Sequence, residues 1–125
     1  MKDLKITTHI NASPADVYAA LTNEKTLEIW TGEQAEMKTE PNTEFSWFGG
    51  DISGTNIEFE ENKRIVQDWD FGDNSPSRVT ILVHTDKGGT HLEVRQSGIP
   101  DEDLEDMKEG WIGTVFAGLK DLLEE

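Results

Sequence analysis

The stretch Phe45–Trp69, FSWFGGDISGTNIEFEENKRIVQDW, decides how this chain folds. Phe45 and Trp47 alternate with polar residues, which is the period of a strand with one buried face. Gly49-Gly50 breaks that run as a turn. Thr55, Ile57 and Phe59 then share a face, and Glu61-Asn62-Lys63 forms a second turn whose Asn tolerates positive φ. A three-residue loop there pairs Phe59 with Ile65, Ile57 with Gln67 and Thr55 with Trp69. A one-residue slip would turn Ile65 and Trp69 to solvent, so the apolar set selects this register. Phe71 continues the face, and Gly72-Asp73-Asn74-Ser75-Pro76 reads as an exposed loop.

The same periodicities extend outward. A turn centred on Lys87-Gly88 pairs Val83 with Leu92, Ile81 with Val94 and Val79 with Gln96, all facing inward. Leu82, His84, His91, Glu93 and Arg95 then face out. Upstream, Leu4, Ile6, Thr8 and Ile10 alternate as a first strand. Ser13-Pro14 starts a helix, with the hydroxyl capping free amides and Asp16 in its first turn; Val17, Ala20 and Leu21 share its face. A second short helix after Thr22-Asn23 carries Leu27 and Trp30. Residues 31–44 lack strong periodicity and read as a loop with one short edge strand. Beyond Ser97-Gly98-Ile99-Pro100, Asp101 caps a helix over residues 101–123, about 34 Å long. Leu104, Met107, Trp111, Val115, Gly118 and Leu122 form its central stripe. Ile112, Phe116, Leu119 and Leu123 widen that stripe into a face. Gly110, Gly113 and Gly118 each cost about 1 kcal/mol relative to alanine, which suggests close approach of backbone or ligand.

In order, the Gly-Gly-interrupted aromatic run, the Gly88-Gly89-Thr90 hairpin, the Ser97–Pro100 boundary and the Gly110-Trp111 helix resemble one family. It is the C-terminal domain of the activator of Hsp90 ATPase with its single-domain bacterial relatives, within the START/Bet v 1-like superfamily. The resemblance runs from about Ile6 to the end; Asn42-Thr43 stands where relatives tend to carry Gly-Gly. It implies an α+β helix-grip fold: a curved antiparallel sheet of about six strands wrapped around a long C-terminal helix, with two short helices after strand 1. It also implies a cleft between sheet and helix, and a link to Hsp90-type chaperones. Relatives with that chaperone role carry an N-terminal domain for which this sequence has no counterpart, so the resemblance carries fold further than activity.

Composition narrows the function classes. The 125 residues fit one domain, 1–125, that buries a sizeable core. With no cysteine, disulfides and thiolate metal sites are excluded. The polar start Met1-Lys2-Asp3-Leu4-Lys5 lacks a signal-peptide core and no window reaches membrane-span length, so a cytoplasmic location is expected. The net charge of −15, from 26 acidic against 11 basic residues, disfavours nucleic acid and anionic membrane. It is read either as solubility or as an acidic face for a basic partner.

The cleft candidates are Trp47, Ile57, Phe59, Gln67, Trp69, Ile81, Val94, Gln96, Met107 and Trp111. Parity makes Gln67, Gln96, Thr85 and Thr90 the inward polar residues, with Thr55 near one end. No titratable group falls on an inward strand position, so general acid–base catalysis lacks its working part, unless Glu33, Asp73 or Glu109 intrudes from the rim. His84 and His91 stand opposite on adjacent strands but face solvent. They read as a solvated pair, short of the three or four ligands of a firm metal site. No P-loop, GxSxG or HExxH occurs, and no cofactor is implied. A non-catalytic module binding a small apolar or aromatic molecule ranks first, and a protein-interaction role on an Hsp90-type chaperone second. An enzyme of hydrophobic substrates ranks third. Trp111 either lines the cleft or plugs it; if it plugs it, the second reading gains.

Overall fold

The computed structural model describes residues 1–72 and 75–124. Six strands form one antiparallel sheet in the order β1-β6-β5-β4-β3-β2. They are β1 (Lys2–Ile10), β2 (Thr43–Trp47), β3 (Ile52–Glu60), β4 (Arg64–Trp69), β5 (Ser77–Asp86) and β6 (Gly89–Ile99). Helices α1 (Pro14–Thr22) and α2 (Glu24–Thr31) follow β1. The chain closes with a 3₁₀ turn (Asp101–Asp103), α3 (Leu104–Gly110), a π-helical segment (Trp111–Phe116) and α4 (Ala117–Leu123). This is the helix-grip arrangement: the sheet curves around the C-terminal helix, with the core between them. No helix among the described residues is long and apolar enough to cross a membrane.

Local chemistry accounts for the helix pair that follows β1. Ser13 Oγ accepts the Asp16 amide at 3.2 Å and Pro14 takes the first helical position. Asn23 caps α2 in the same way, its Oδ1 accepting the Thr26 amide at 3.0 Å, and Gly32 at φ 75° closes that helix. Trp30 Nε1–H donates to Ala20 O at 2.8 Å, tying α2 to α1. Between α2 and β2 only a two-bond bridge, Glu36 to Ser46, forms on the sheet edge. Asn42 occupies positive φ (65°) before β2, doing there what glycine would do.

The β5–β6 hairpin has the register expected from its turn, including Val83 with Leu92, Ile81 with Val94 and His84 with His91. The β3–β4 register follows expectation only next to its turn. Phe59 pairs with Ile65, but a bulge between Asn56 and Glu58 inserts one residue. Beyond it Asn56 opposes Gln67, Thr55 opposes Asp68 and Gly54 opposes Trp69, correcting the expected Ile57–Gln67 and Thr55–Trp69 pairs. Ile57 is the inserted residue, half-buried and outside the apolar cluster; Asn56 takes the inward position and is fully buried. Thr85, beside the turn, is exposed.

The last helix departs from expectation in three places. Asp101 lies in the 3₁₀ turn and makes no side-chain cap bond; its carboxylate pairs with the Met1 amine at 3.0 Å. The π-helical segment widens the helical turn, so Ile112 is 50% exposed while Trp111, Val115 and Phe116 are buried. Of the three glycines, Gly118 alone is crowded: an added Cβ would lie 2.7 Å from Trp30 Cε3, whereas Gly110 and Gly113 face open space. Of the expected 72–76 loop, Gly72, Ser75 and Pro76 are exposed, and Asp73 and Asn74 lie outside the described residues.

Candidate functional site: the space between sheet and terminal helix

An unbroken chain of aromatic rings occupies the space where a cleft was expected. Trp30 packs edge-on against Trp47 (6.4 Å between centroids) and Trp47 edge-on against Trp69 (6.0 Å). Trp69 stacks on Trp111 at 5.0 Å and 20°, and Trp111 meets Phe116 at 6.2 Å. Both stacked indoles are nearly sealed, with Trp69 at 3% and Trp111 at 2% exposure. Offset stacking of this kind contributes about 0.5–1.5 kcal/mol beyond area burial.

The two inward glutamines anchor the stack. Trp111 Nε1–H donates to Gln96 Oε1 at 2.8 Å, and Gln96 Nε2 donates to Ser77 Oγ at 3.0 Å and to the Met107 sulfur at 3.5 Å. Ser77 Oγ–H passes the chain to Ser97 O at 2.7 Å. On the same sheet, across Val79 from Gln96, Trp69 Nε1–H donates to Gln67 Oε1 at 3.0 Å and Gln67 Nε2 donates to Asn56 Oδ1 at 3.0 Å. Asn56 Nδ2 finishes on Lys38 O and Thr43 Oγ1 at 3.0 and 3.1 Å. Each buried amide is thus held by protein groups, as burial in a low-dielectric interior requires. Asn56 and Ser77 are inward polar residues beyond the sequence expectation: the bulge hides the first, and the apolar alternation of β5 starts only at Val79.

What remains open is a recess of about 230 Å³ at one mouth of the filled cleft. Of the ten sequence candidates, Trp69, Met107 and Trp111 line it; Phe48, Asp51, Ile52, Gly110, Thr114 and Val115 complete it. Trp47, Gln67, Ile81, Val94 and Gln96 are buried behind the stack, Phe59 is half-buried, and Ile57 stands at the bulge. Phe59 borders a different surface groove with Tyr18, whose phenol is pushed up by burial and then by the Glu61 charge. Phe48 sits at φ 56°, followed by Gly49 at 67° and Gly50 at 101°, and packs edge-on against Trp30 at 5.7 Å. A bulky residue in the left-handed region costs about 1–2 kcal/mol, and that cost falls on the rim of the recess. The Phe-Gly-Gly triplet was the available signal for this rim. Of the rim acids, Glu33 and Glu109 are exposed and outside the recess lining, and Asp73 lies outside the described residues.

The opposite, convex face of the sheet is ionic. Glu93 bonds Arg95 Nε at 2.6 Å and lies 3.8 Å from Lys5 Nζ. Desolvation alone would raise its carboxyl, but Arg95, Lys5 and His91 together hold it below the usual carboxylate range. Arg78 pairs with Asp68, and that hydrogen bond raises the guanidinium further.

Comparison with known proteins agrees with this architecture. Residues 11–124 match the family model described as Activator of Hsp90 ATPase homolog 1-like protein. The activator of 90 kDa heat shock protein ATPase homolog of Dictyostelium discoideum is 32% identical over 95% of this chain and 32% of its own length. Homolog 1 from Homo sapiens is 25% identical over 86% of this chain and 33% of its own length. The chain therefore spans about a third of these curated relatives. A solved HSP90 activator from Plasmodium falciparum superposes with a TM-score of 0.89 at 25% identity, covering 98% of this chain and 96% of that one. Sequence, family model and architecture together place this chain in the Activator of Hsp90 ATPase homolog 1-like family.

Proposed function

We propose that this domain works through protein contact, engaging an Hsp90-type chaperone, and that its interior is core and not a ligand chamber. The observation that carries the reading is Trp111: the ring on which a bound molecule would have to rest is itself the filling between sheet and helix. Ligand pockets usually enclose about 300–1,000 Å³, and the recess left here, about 230 Å³, falls below that. The inward polar side chains Asn56, Gln67, Ser77, Thr90 and Gln96 are amides and hydroxyls, which supports a non-catalytic role. A net charge of −15 favours a basic partner surface.

The test is a chemical-shift titration of the labelled domain with a purified Hsp90-type chaperone. Outward residues such as Glu93 and Arg95 should shift, the interior methyls of Ile81 and Val94 should not, and salt should weaken the effect. Stimulation of ATP turnover by this domain added alone should stay below about twofold. Shifts confined to Trp111 and the interior methyls on adding small aromatic compounds, with none on adding chaperone, would reverse the assignment. A second reading keeps the recess as a site for a neutral ring or short chain, supported by its Trp69, Trp111, Phe48 and Met107 walls. Its size implies micromolar to millimolar affinity, about −4 to −8 kcal/mol.

A further inference from the structure

The three histidines of the chain fall in a single row across three adjacent strands, because His9 pairs with His91 and His91 with His84. The geometry points to a surface site for a divalent d-block cation on this row, with His84 and His91 as the primary ligands and His9 as the third. It lies on the convex face, away from the recess and from the aromatic stack.

The central pair is nearly pre-arranged. The His84 and His91 ring centroids are 6.3 Å apart with planes 32° from parallel. Two imidazoles on one ion, with metal–nitrogen bonds of about 2.0–2.1 Å, hold their ring centres about 5–6.4 Å apart. The observed spacing therefore falls within the range that two imidazoles on one ion require. His9 now leans towards the hairpin turn, its Nδ1 3.3 Å from Asp86 Oδ2 and its Nε2 3.0 Å from Asn11 Oδ1. Three ligands consequently do not converge among the described residues as they stand. Giving up the Asn11 contact frees Nε2 while Asp86 keeps Nδ1–H, which is the carboxylate–histidine–metal arrangement that orients ligating imidazoles. Glu93 shares the face but is committed to Arg95 and Lys5. The net charge of −15 concentrates cations of any kind. Imidazole nitrogen, unlike carboxylate, selects Cu²⁺, Ni²⁺ and Zn²⁺ over Mg²⁺ and Ca²⁺.

The experiment is an NMR titration of the whole labelled chain with zinc chloride, and separately with calcium chloride, following the histidine ring signals. Zinc should shift His84 and His91 saturably at one ion per chain, and calcium should not. His84→Gln should weaken zinc binding at least about tenfold, and His9→Gln should weaken it by about threefold. Acidification should release the ion, because metal binding by imidazole competes with protons. His84 and His9 are exposed, so these variants keep the amide spectrum of the parent. The proposal is overturned if zinc and calcium move the same carboxylate neighbours, if the rings do not respond at millimolar zinc, or if the His84→Gln/His91→Gln double variant binds as tightly as the parent.

Discussion

Replacing Trp111 by alanine separates a filled cleft from an open one. The ring is 2% exposed and stacked on Trp69 at 5.0 Å, so its removal empties the centre of the core. Deleting a buried tryptophan typically costs about 3–5 kcal/mol in lost transfer energy and residual cavity. Gln96 Oε1 also loses the indole donor now at 2.8 Å. A buried acceptor left unmet adds about 1–3 kcal/mol. The new space adjoins the recess, so water reaching Gln96 cancels much of this second cost, and the expected total is about 4–5 kcal/mol. That is a large share of the roughly 5–15 kcal/mol available to a domain. Denaturant melts of parent and variant at equal slope give the difference directly. Indole should then refill the hole: at a concentration ten times its dissociation constant it returns about 1.4 kcal/mol to the variant. The parent, already filled, should not respond. A loss below about 1 kcal/mol, or equal stabilisation of parent and variant by indole, refutes the reasoning.

Three other outcomes follow from the same geometry. Gly118→Ala should lose about 1–3 kcal/mol, because its Cβ would lie 2.7 Å from a Trp30 ring pinned through its own N–H. Gly113→Ala, facing open space, should gain up to about 1 kcal/mol in the same melts; equal signs for the two would contradict the helix packing. Asn56→Ala strands Gln67 Nε2 and Lys38 O and should cost at least about 2 kcal/mol. A greater loss from Thr55→Ala would mean the bulge is misplaced. Glu93 titrates lower in the folded chain than unfolded, so its contribution is full above the unfolded carboxylate value and is lost as pH falls through the folded one. Glu93→Gln should therefore flatten the acid side of the stability–pH curve, and an unchanged acid limb would remove that role.

The parts of the fold legible in the sequence are those where one period runs uninterrupted to a tight turn. Asp86 and Gly89 close the β5–β6 hairpin around Lys87-Gly88, so every pair from Val83–Leu92 to Val79–Gln96 follows by counting. The β3–β4 hairpin defeated the same count because one inserted residue reverses parity beyond Glu58. Uninterrupted alternation points the apolar Ile57 inward and the polar Asn56 outward, the reverse of what the bulge produces. Gly54 held the missing hint: a side chain there would meet the Asp68 carbonyl at 1.9 Å, so the backbone approaches closely where Thr55 was expected to pack. In the last helix a 3.6-residue count assigned Ile112 to the core, and the π-helical turn puts it in water. Such a turn leaves no mark on hydrophobic spacing that sequence alone distinguishes from a broad apolar face.

Both irregularities serve the same pair of rings. The bulge turns Asn56 inward to hold Gln67, and Gln67 takes the N–H of Trp69. The π-helical segment begins at Trp111, whose N–H is taken by Gln96. One departure from ideal geometry on each wall thus fixes the two indoles that close the space between them. An open chamber would present the amides of Gln67 and Gln96 to an incoming molecule, since these are the polar groups suited to orient one. Here each amide is already bonded at both ends, and a ligand would have to displace an indole and break its hydrogen bond before reaching either of them. That cost acts against any small molecule that would use the amides for orientation. Contact with other molecules then falls to the recess beside the stack and to the outer surface, where Arg95 and the histidine row stand.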